Sequence, residues 1–132
     1  MQLRDTTLLQ FAQEARERAY APYSGFRVGA ALLTASGKVF TGCNVENATY
    51  GATLCAERAA ISSAIVSGER SFTAIAIVGN GQEPCMPCGI CRQVLCEFSP
   101  QMRVICWDGQ GGTQSWTAGE LLPGHFTLSK NV

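Results

Sequence analysis

The chain has 132 residues, 46% of them hydrophobic, and its ten basic and ten acidic side chains balance to zero net charge at pH 7. That length fits a single domain over residues 1–132 and excludes a second full one, while the neutral balance lacks the basic footprint of a polynucleotide binder and favours a small ligand. Charged residues are only 15%, below the usual proportion of about a quarter, so little polar surface is available to cover a monomer and self-association is expected.

The N-terminal residues include Arg4 and Asp5 and lack the apolar core of a secretory signal; no apolar run approaches the ~20 residues that span a bilayer. A cytoplasmic location follows, with no membrane partner. There the seven cysteines stay reduced, and clustered thiols point to metal or catalysis. The one histidine, His125, makes any zinc site mostly thiolate.

Thr6 to Tyr20 reads as a helix capped by Asp5 or Thr6, with Leu8, Phe11, Ala12 and Ala15 on one side and Pro22 beyond its end. Val28–Leu33 and Val39–Cys43 flank the turn Ala35-Ser36-Gly37-Lys38 and read as an antiparallel hairpin. A helix runs from about Cys55 to Val66, with Ala56, Ala59, Ala60 and Ala64 as close-packing positions and Gly68 just past its end. Phe72–Val78 is an almost uncharged run typical of a buried central strand. After a loop over Gly79–Pro87, a helix covers Gly89–Phe98 and a strand Arg103–Trp107, followed by a C-terminal tail. Strand and helix alternate after residue 54, which suggests βαβ units. The expected architecture is α/β, a three-layer α/β/α sandwich with a mixed central sheet.

Cys85, Cys88 and Cys91 recur every third residue, and Cys55 opens the earlier helix. Cys88 and Cys91, at i and i+3 in a first helical turn, share a face, and Pro87 suits that helix start. Thiolates at helix N-termini meet the positive end of the macrodipole, which favours their ionised, metal-binding form. Two helices on one face of a sheet could therefore present Cys55, Cys88 and Cys91 to one zinc ion. Glu57 could move protons beside an open metal position. Positions i and i+2 do not share a helix face, so Cys55 has to lie at the helix edge. A closed four-cysteine zinc knot with Cys85 or Cys43 as fourth ligand, or an iron–sulfur site built on Cys85, Cys88, Cys91 and Cys96, are the alternatives; the latter departs from the ferredoxin spacing at its last interval and has Glu97 where proline is expected. The zinc knot would make the chain a non-catalytic interaction module.

Cys55-Ala56-Glu57 and Pro87-Cys88-Gly89-Ile90-Cys91 resemble the signature of the zinc-dependent cytidine deaminases. Having Cys rather than His as the first ligand is like the small homotetrameric enzymes that act on free nucleosides. The resemblance extends to 21–26 (Ala-Pro-Tyr-Ser-Gly-Phe), 42–48 (Gly-Cys-Asn-Val-Glu-Asn-Ala), 89–93 (Gly-Ile-Cys-Arg-Gln) and 122–126 (Leu-Pro-Gly-His-Phe). It implies hydrolytic deamination of cytidine or deoxycytidine, with zinc held by Cys55, Cys88 and Cys91 and Glu57 as proton carrier. It further implies that Asn44 and Glu46 bind ribose hydroxyls, that Phe26 packs on the base, and that backbone at Ala56 reads the pyrimidine edge. Ala48 joins this substrate set, and Tyr50 and Phe126 reach a neighbouring subunit's pocket. Three thiolates on Zn²⁺ leave a formal charge of −1, which Arg58 offsets by hydrogen-bonding ligand sulfur. The related deaminase of the nucleoside antibiotic blasticidin S shares the size and zinc motif.

Overall fold

The computed structural model describes residues 4–81, 84–107 and 112–130. The elements run α1 (Asp5–Arg16), β1 (Gly29–Thr34), β2 (Val39–Cys43), α2 (Ala56–Val66), β3 (Phe72–Val78), α3 (Gly89–Phe98), β4 (Arg103–Trp107), β5 (Thr113–Thr117) and α4 (Ala118–Leu121). The strands form one sheet in the order β2-β1-β3-β4-β5. Only the β3–β4 pair is parallel, with Ile75 opposite Val104 and Ile77 opposite Cys106; the other neighbours are antiparallel. The sheet is mixed because β3 and β4 are joined through α3, whereas the remaining neighbours meet as hairpins or by return of the chain.

Side chains alternate along each strand and divide the core into two layers. Ala31, Ala74, Ala76, Val78 and Ile105 meet Leu8, Leu9 and Ala12 of α1. On the other face Ala30, Leu32, Ile75, Ile77, Val104 and Cys106 meet Ala56, Ala60, Ile61 and Ala64 of α2, Leu95 and Cys96 of α3, and Ala118 of α4. The three-layer reading therefore holds, with α2 and α3 on one face. Small residues set how deep α2 lies. A Cβ added at Gly42 would come 2.5 Å from both Ala56 O and Ala60 N, so β2 and the start of α2 are in backbone contact.

Four local readings change. Helix α1 ends at Arg16 rather than Tyr20, because Tyr20 is drawn into a bridge: its N–H donates to Asn44 O at 3.0 Å and its carbonyl accepts from Glu46 N at 2.8 Å. The residue before α1 is Arg4, with no side-chain cap; Asp5 instead pairs with Arg103 of β4 through two hydrogen bonds, at 3.1 and 2.5 Å. The buried stripe of α1 is Leu8, Leu9 and Ala12, while Phe11 is 38% exposed at its rim. The tail also contains β5, a mostly exposed edge strand on β4, and α4. The latter opens with a capping box in which Thr117 Oγ1 accepts from Glu120 N at 3.1 Å and Thr117 N donates to the Glu120 carboxylate at 2.8 Å. Thr117-x-x-Glu120 was the signal for it.

Candidate active site

Cys55 is not within the turns of α2. It is the residue preceding the helix, with extended dihedrals of φ −76° and ψ 151°, so the rule that i and i+2 point apart inside a helix does not govern Cys55 and Glu57. Cys88 holds the same position before α3, at φ −69° and ψ 172°, and Cys91 is the third helical residue. Neither capping thiol hydrogen-bonds its own helix. The sulfurs of Cys55, Cys88 and Cys91 all lie within 4.8 Å of one another. Zinc–sulfur bonds of about 2.3 Å in tetrahedral geometry put sulfurs roughly 3.8 Å apart, so a small shift fits this trio to one ion. Among the described residues no other group of three or more such ligands meets this test. Cys85 and Cys43 are not in the group, and Cys96 donates its thiol proton to Ala118 O at 3.3 Å inside the core. Neither the four-cysteine knot nor the iron–sulfur arrangement is thus assembled.

Electrostatics also fit a cation. Cys55 is held down to about 5, first by the hydrogen bond it accepts from the Cys91 thiol and then by Arg58, against the opposing effect of burial. Cys91 is pushed up, chiefly by donating to Cys55 and by burial. Crowded sulfurs compete for one negative charge until a cation lets them ionise together. Arg58 Nη2 donates to Cys55 Sγ and to Thr53 O, each at 3.4 Å, and Arg58 Nε is buried without a partner. Glu57 is only 4% exposed, and burial raises its carboxyl above the ordinary value. The site therefore pairs a three-sulfur cluster with a buried carboxyl.

The remaining nominated residues come from several segments. Past Cys43 the chain stays extended, and Val45 exchanges two hydrogen bonds of 2.9 Å with Leu54, next to Cys55. This bridge fixes Asn44 and Glu46 relative to α2. Asn44 Oδ1 accepts from Val28 N at 2.8 Å and its Nδ2 donates to Phe26 O at 2.9 Å. Glu46, with Tyr23, Ser24, Asn47, Tyr50 and Thr53, lines a cavity of about 270 Å³. Phe26 is half-exposed and sits over Gly79 and Cys85: a Cβ at Gly79 would be 3.0 Å from the ring's Cζ and 3.1 Å from Cys85 Sγ. Ala56 is buried and Ala48 exposed. Tyr50 and Phe126 are 80% and 67% exposed.

Several pairings around the site could not be read from the sequence. Gln93 of α3 donates through Nε2 to Phe126 O at 2.9 Å and accepts Phe126 N–H at 3.2 Å. Arg92 ties Pro87 O at 2.8 Å to Leu121 O at 2.9 Å, bracing the approach to Cys88. Asn80 holds Gly25 O at 2.8 Å. Their partners lie too far along the chain for spacing to disclose.

Residues 3–107 match the family model described as the cytidine and deoxycytidylate deaminase zinc-binding region. A cytidine deaminase of Halalkalibacterium halodurans is 50% identical over 121 residues, covering 91% of this chain and 92% of that protein. One from Sporosarcina psychrophila is 46% identical over 121 residues, covering 91% and 89%. The crystal structure of cytidine deaminase from Burkholderia pseudomallei superposes with a TM-score of 0.90 at 51% identity, covering 94% of this chain and all of that one. With Cys55, Cys88 and Cys91 grouped closely enough to hold a metal ion and the family model matching most of the sequence, the chain belongs to the cytidine and deoxycytidylate deaminase family.

Proposed function

We propose that this protein, as one deaminase domain over 1–132, converts cytidine and deoxycytidine to uridine and deoxyuridine with release of ammonia, a step of pyrimidine salvage. The observation that carries this reading is the buried Glu57 carboxyl, 4% exposed, in the first turn of the helix that Cys55 opens. A purely structural zinc site has no use for it and completes its coordination with a fourth protein ligand. Cys55, Cys88 and Cys91 are the residues to hold the ion. Zinc held by three protein ligands supplies a Lewis acid that makes water nucleophilic near neutral pH.

The protein's own groups do the rest. Glu57 takes a proton from the attacking water and hands it to N3 of the pyrimidine, then takes the proton of the new C4 hydroxyl and delivers it to the departing amine, so that the C4 carbonyl forms as ammonia leaves; a raised carboxyl pKa suits a group that must both accept and give. Arg58 and the N-termini of α2 and α3 balance the charge of the sulfurs. Asn44 has one N–H and one oxygen lone pair left beyond its bonds to Val28 and Phe26, and with Glu46 it binds sugar hydroxyls. Phe26 covers the base, while backbone at Ala56 reads its edge and Ala48 lines the sugar side. The exposed rings of Tyr50 and Phe126 support a homotetramer in which each closes a neighbour's pocket. Zero net charge supports a free nucleoside rather than a nucleic acid as substrate. Seven unpaired thiols support a reducing cytoplasm, and no helix among the described residues is long and apolar enough to cross a membrane.

Metal analysis and ammonia release from cytidine, measured on one sample, test the reading. One zinc per chain is expected, with turnover of cytidine but not of blasticidin S. In Glu57→Gln the zinc should remain while turnover falls by at least the ~10²–10⁴-fold of lost acid–base catalysis. Retained activity there would overturn it.

A further inference from the structure

The turn carrying Phe26 has almost no core to hold it. Residues 22–27 are all exposed, so apart from the ring's seat over Gly79 and Cys85 this segment is positioned by hydrogen bonds. Gly25 N donates to Ala21 O at 3.0 Å, Asn80 holds Gly25 O, and Asn44 holds Phe26 O. The densest knot joins Ser24 to Glu46. Glu46 Oε1 accepts two backbone N–H groups, from Tyr23 at 3.0 Å and Ser24 at 3.1 Å. The Ser24 hydroxyl donates to Glu46 Oε2 and accepts Phe26 N–H at 3.0 Å.

Counting lone pairs shows what this leaves. A carboxylate offers about four acceptor positions. The two on Oε1 are filled, and one of the two on Oε2 is taken by Ser24, so the free position lies on the oxygen that Ser24 orients. The same bonds, that from the Ser24 hydroxyl first, hold the Glu46 carboxyl below its ordinary value, so it remains an acceptor.

We propose that Ser24 is a positioning residue for nucleoside recognition: its one hydroxyl aims Glu46 Oε2 at a sugar hydroxyl and fixes the backbone of Phe26 under the base. This rests on the reading of Glu46 and Phe26 given above. Ser24 touches no substrate in this role and acts through two neighbours. Ser24→Ala keeps the Asn44, Asn80 and backbone bonds of the turn, so the fold survives the substitution.

The test compares cytidine with 3′-deoxycytidine as substrates of the zinc-loaded protein and its Ser24→Ala and Ser24→Thr variants. Losing a hydrogen bond to a charged group predicts that Ser24→Ala raises KM for cytidine about 10-fold, with kcat changed less than about twofold and zinc content intact. The rise for 3′-deoxycytidine is smaller, about threefold, because only the Phe26 arm is lost. Ser24→Thr, which restores a hydroxyl, recovers the KM for cytidine. An equal rise on both substrates means a merely structural turn and overturns the proposal, as does an unchanged KM. Should the unsubstituted protein process the two nucleosides with equal kcat/KM, the sugar role of Glu46 fails at its root and takes the proposal with it; that result is visible before any variant is made.

Discussion

Arg58 Nη2 stands 3.4 Å from Cys55 Sγ, three residues further along the chain and one turn into the helix that Cys55 opens. A guanidinium in contact with the Cys55 sulfur steadies its thiolate, and with Cys55 as a zinc ligand it would offset part of the negative charge of three thiolates. Arg58→Ala should lower zinc occupancy or deamination by roughly 10- to 100-fold, the usual effect of losing a group behind a ligand. Zinc content and kcat/KM measured together decide it; a variant unchanged in both removes Arg58 from the site.

Phe126 projects its ring to solvent while Gln93 grips both its N–H and its carbonyl. If the ring closes a neighbour's pocket, Phe126→Ala weakens substrate binding with each chain's zinc retained. Truncating a well-packed aromatic anchor costs about 2 kcal/mol or more, so KM should rise at least about 30-fold. Light scattering on the active wild-type protein supplies the second check, since a fully active monomer is incompatible with a shared site.

Gly42 lets α2 lie directly on β2. In Gly42→Ala the added Cβ meets Ala56 O and Ala60 N at 2.5 Å, both backbone atoms that cannot turn aside. Overpacking of this kind costs about 1–3 kcal/mol, and the displaced helix carries Cys55 away from Cys88 and Cys91. Denaturant unfolding and zinc content should both suffer. Gly51→Ala, where a Cβ meets nothing within 4 Å, is the control; equal behaviour of the two variants would refute the contact.

Burial pushes the Cys106 thiol up to about 12 and the Cys85 thiol up to about 11, from 9.0. A group raised in the folded state keeps its proton longer there than in the unfolded chain. Its contribution to stability is therefore whole below the unfolded value of 9.0 and lost as the pH climbs toward the folded one. Thermal midpoints should fall between about pH 9 and pH 11, and Cys106→Val should flatten that fall. Curves of the same steepness for variant and wild type would exclude Cys106 from the alkaline limb.

Helices α2 and α3 and strands β1 to β4 were legible because apolar periodicity is local: Ile75 and Ile77 face one layer, Ala74 and Ala76 the other. Strand β5 was not, since Thr113–Thr117 is polar and mostly exposed at the sheet edge and gains its extended form from pairing with β4. The end of α1 was misplaced for the same reason, as Tyr20 answers to Asn44 and Glu46 rather than to its own helix.

The site divides along the same line. Cys55, Glu57, Cys88 and Cys91 could be nominated from the chain alone, because Cys-x-Glu and Cys-x-x-Cys are short intervals that resemble a known signature. Their convergence, the extended backbone that frees Cys55 from helical phase, and the bonds from Ser24 to Glu46, Gln93 to Phe126 and Asn80 to Gly25 belong to the folded molecule. Those pairs are 22, 33 and 55 residues apart. Periodicity and capping act within a few residues, whereas which distant groups meet is decided only when the sheet brings its layers together.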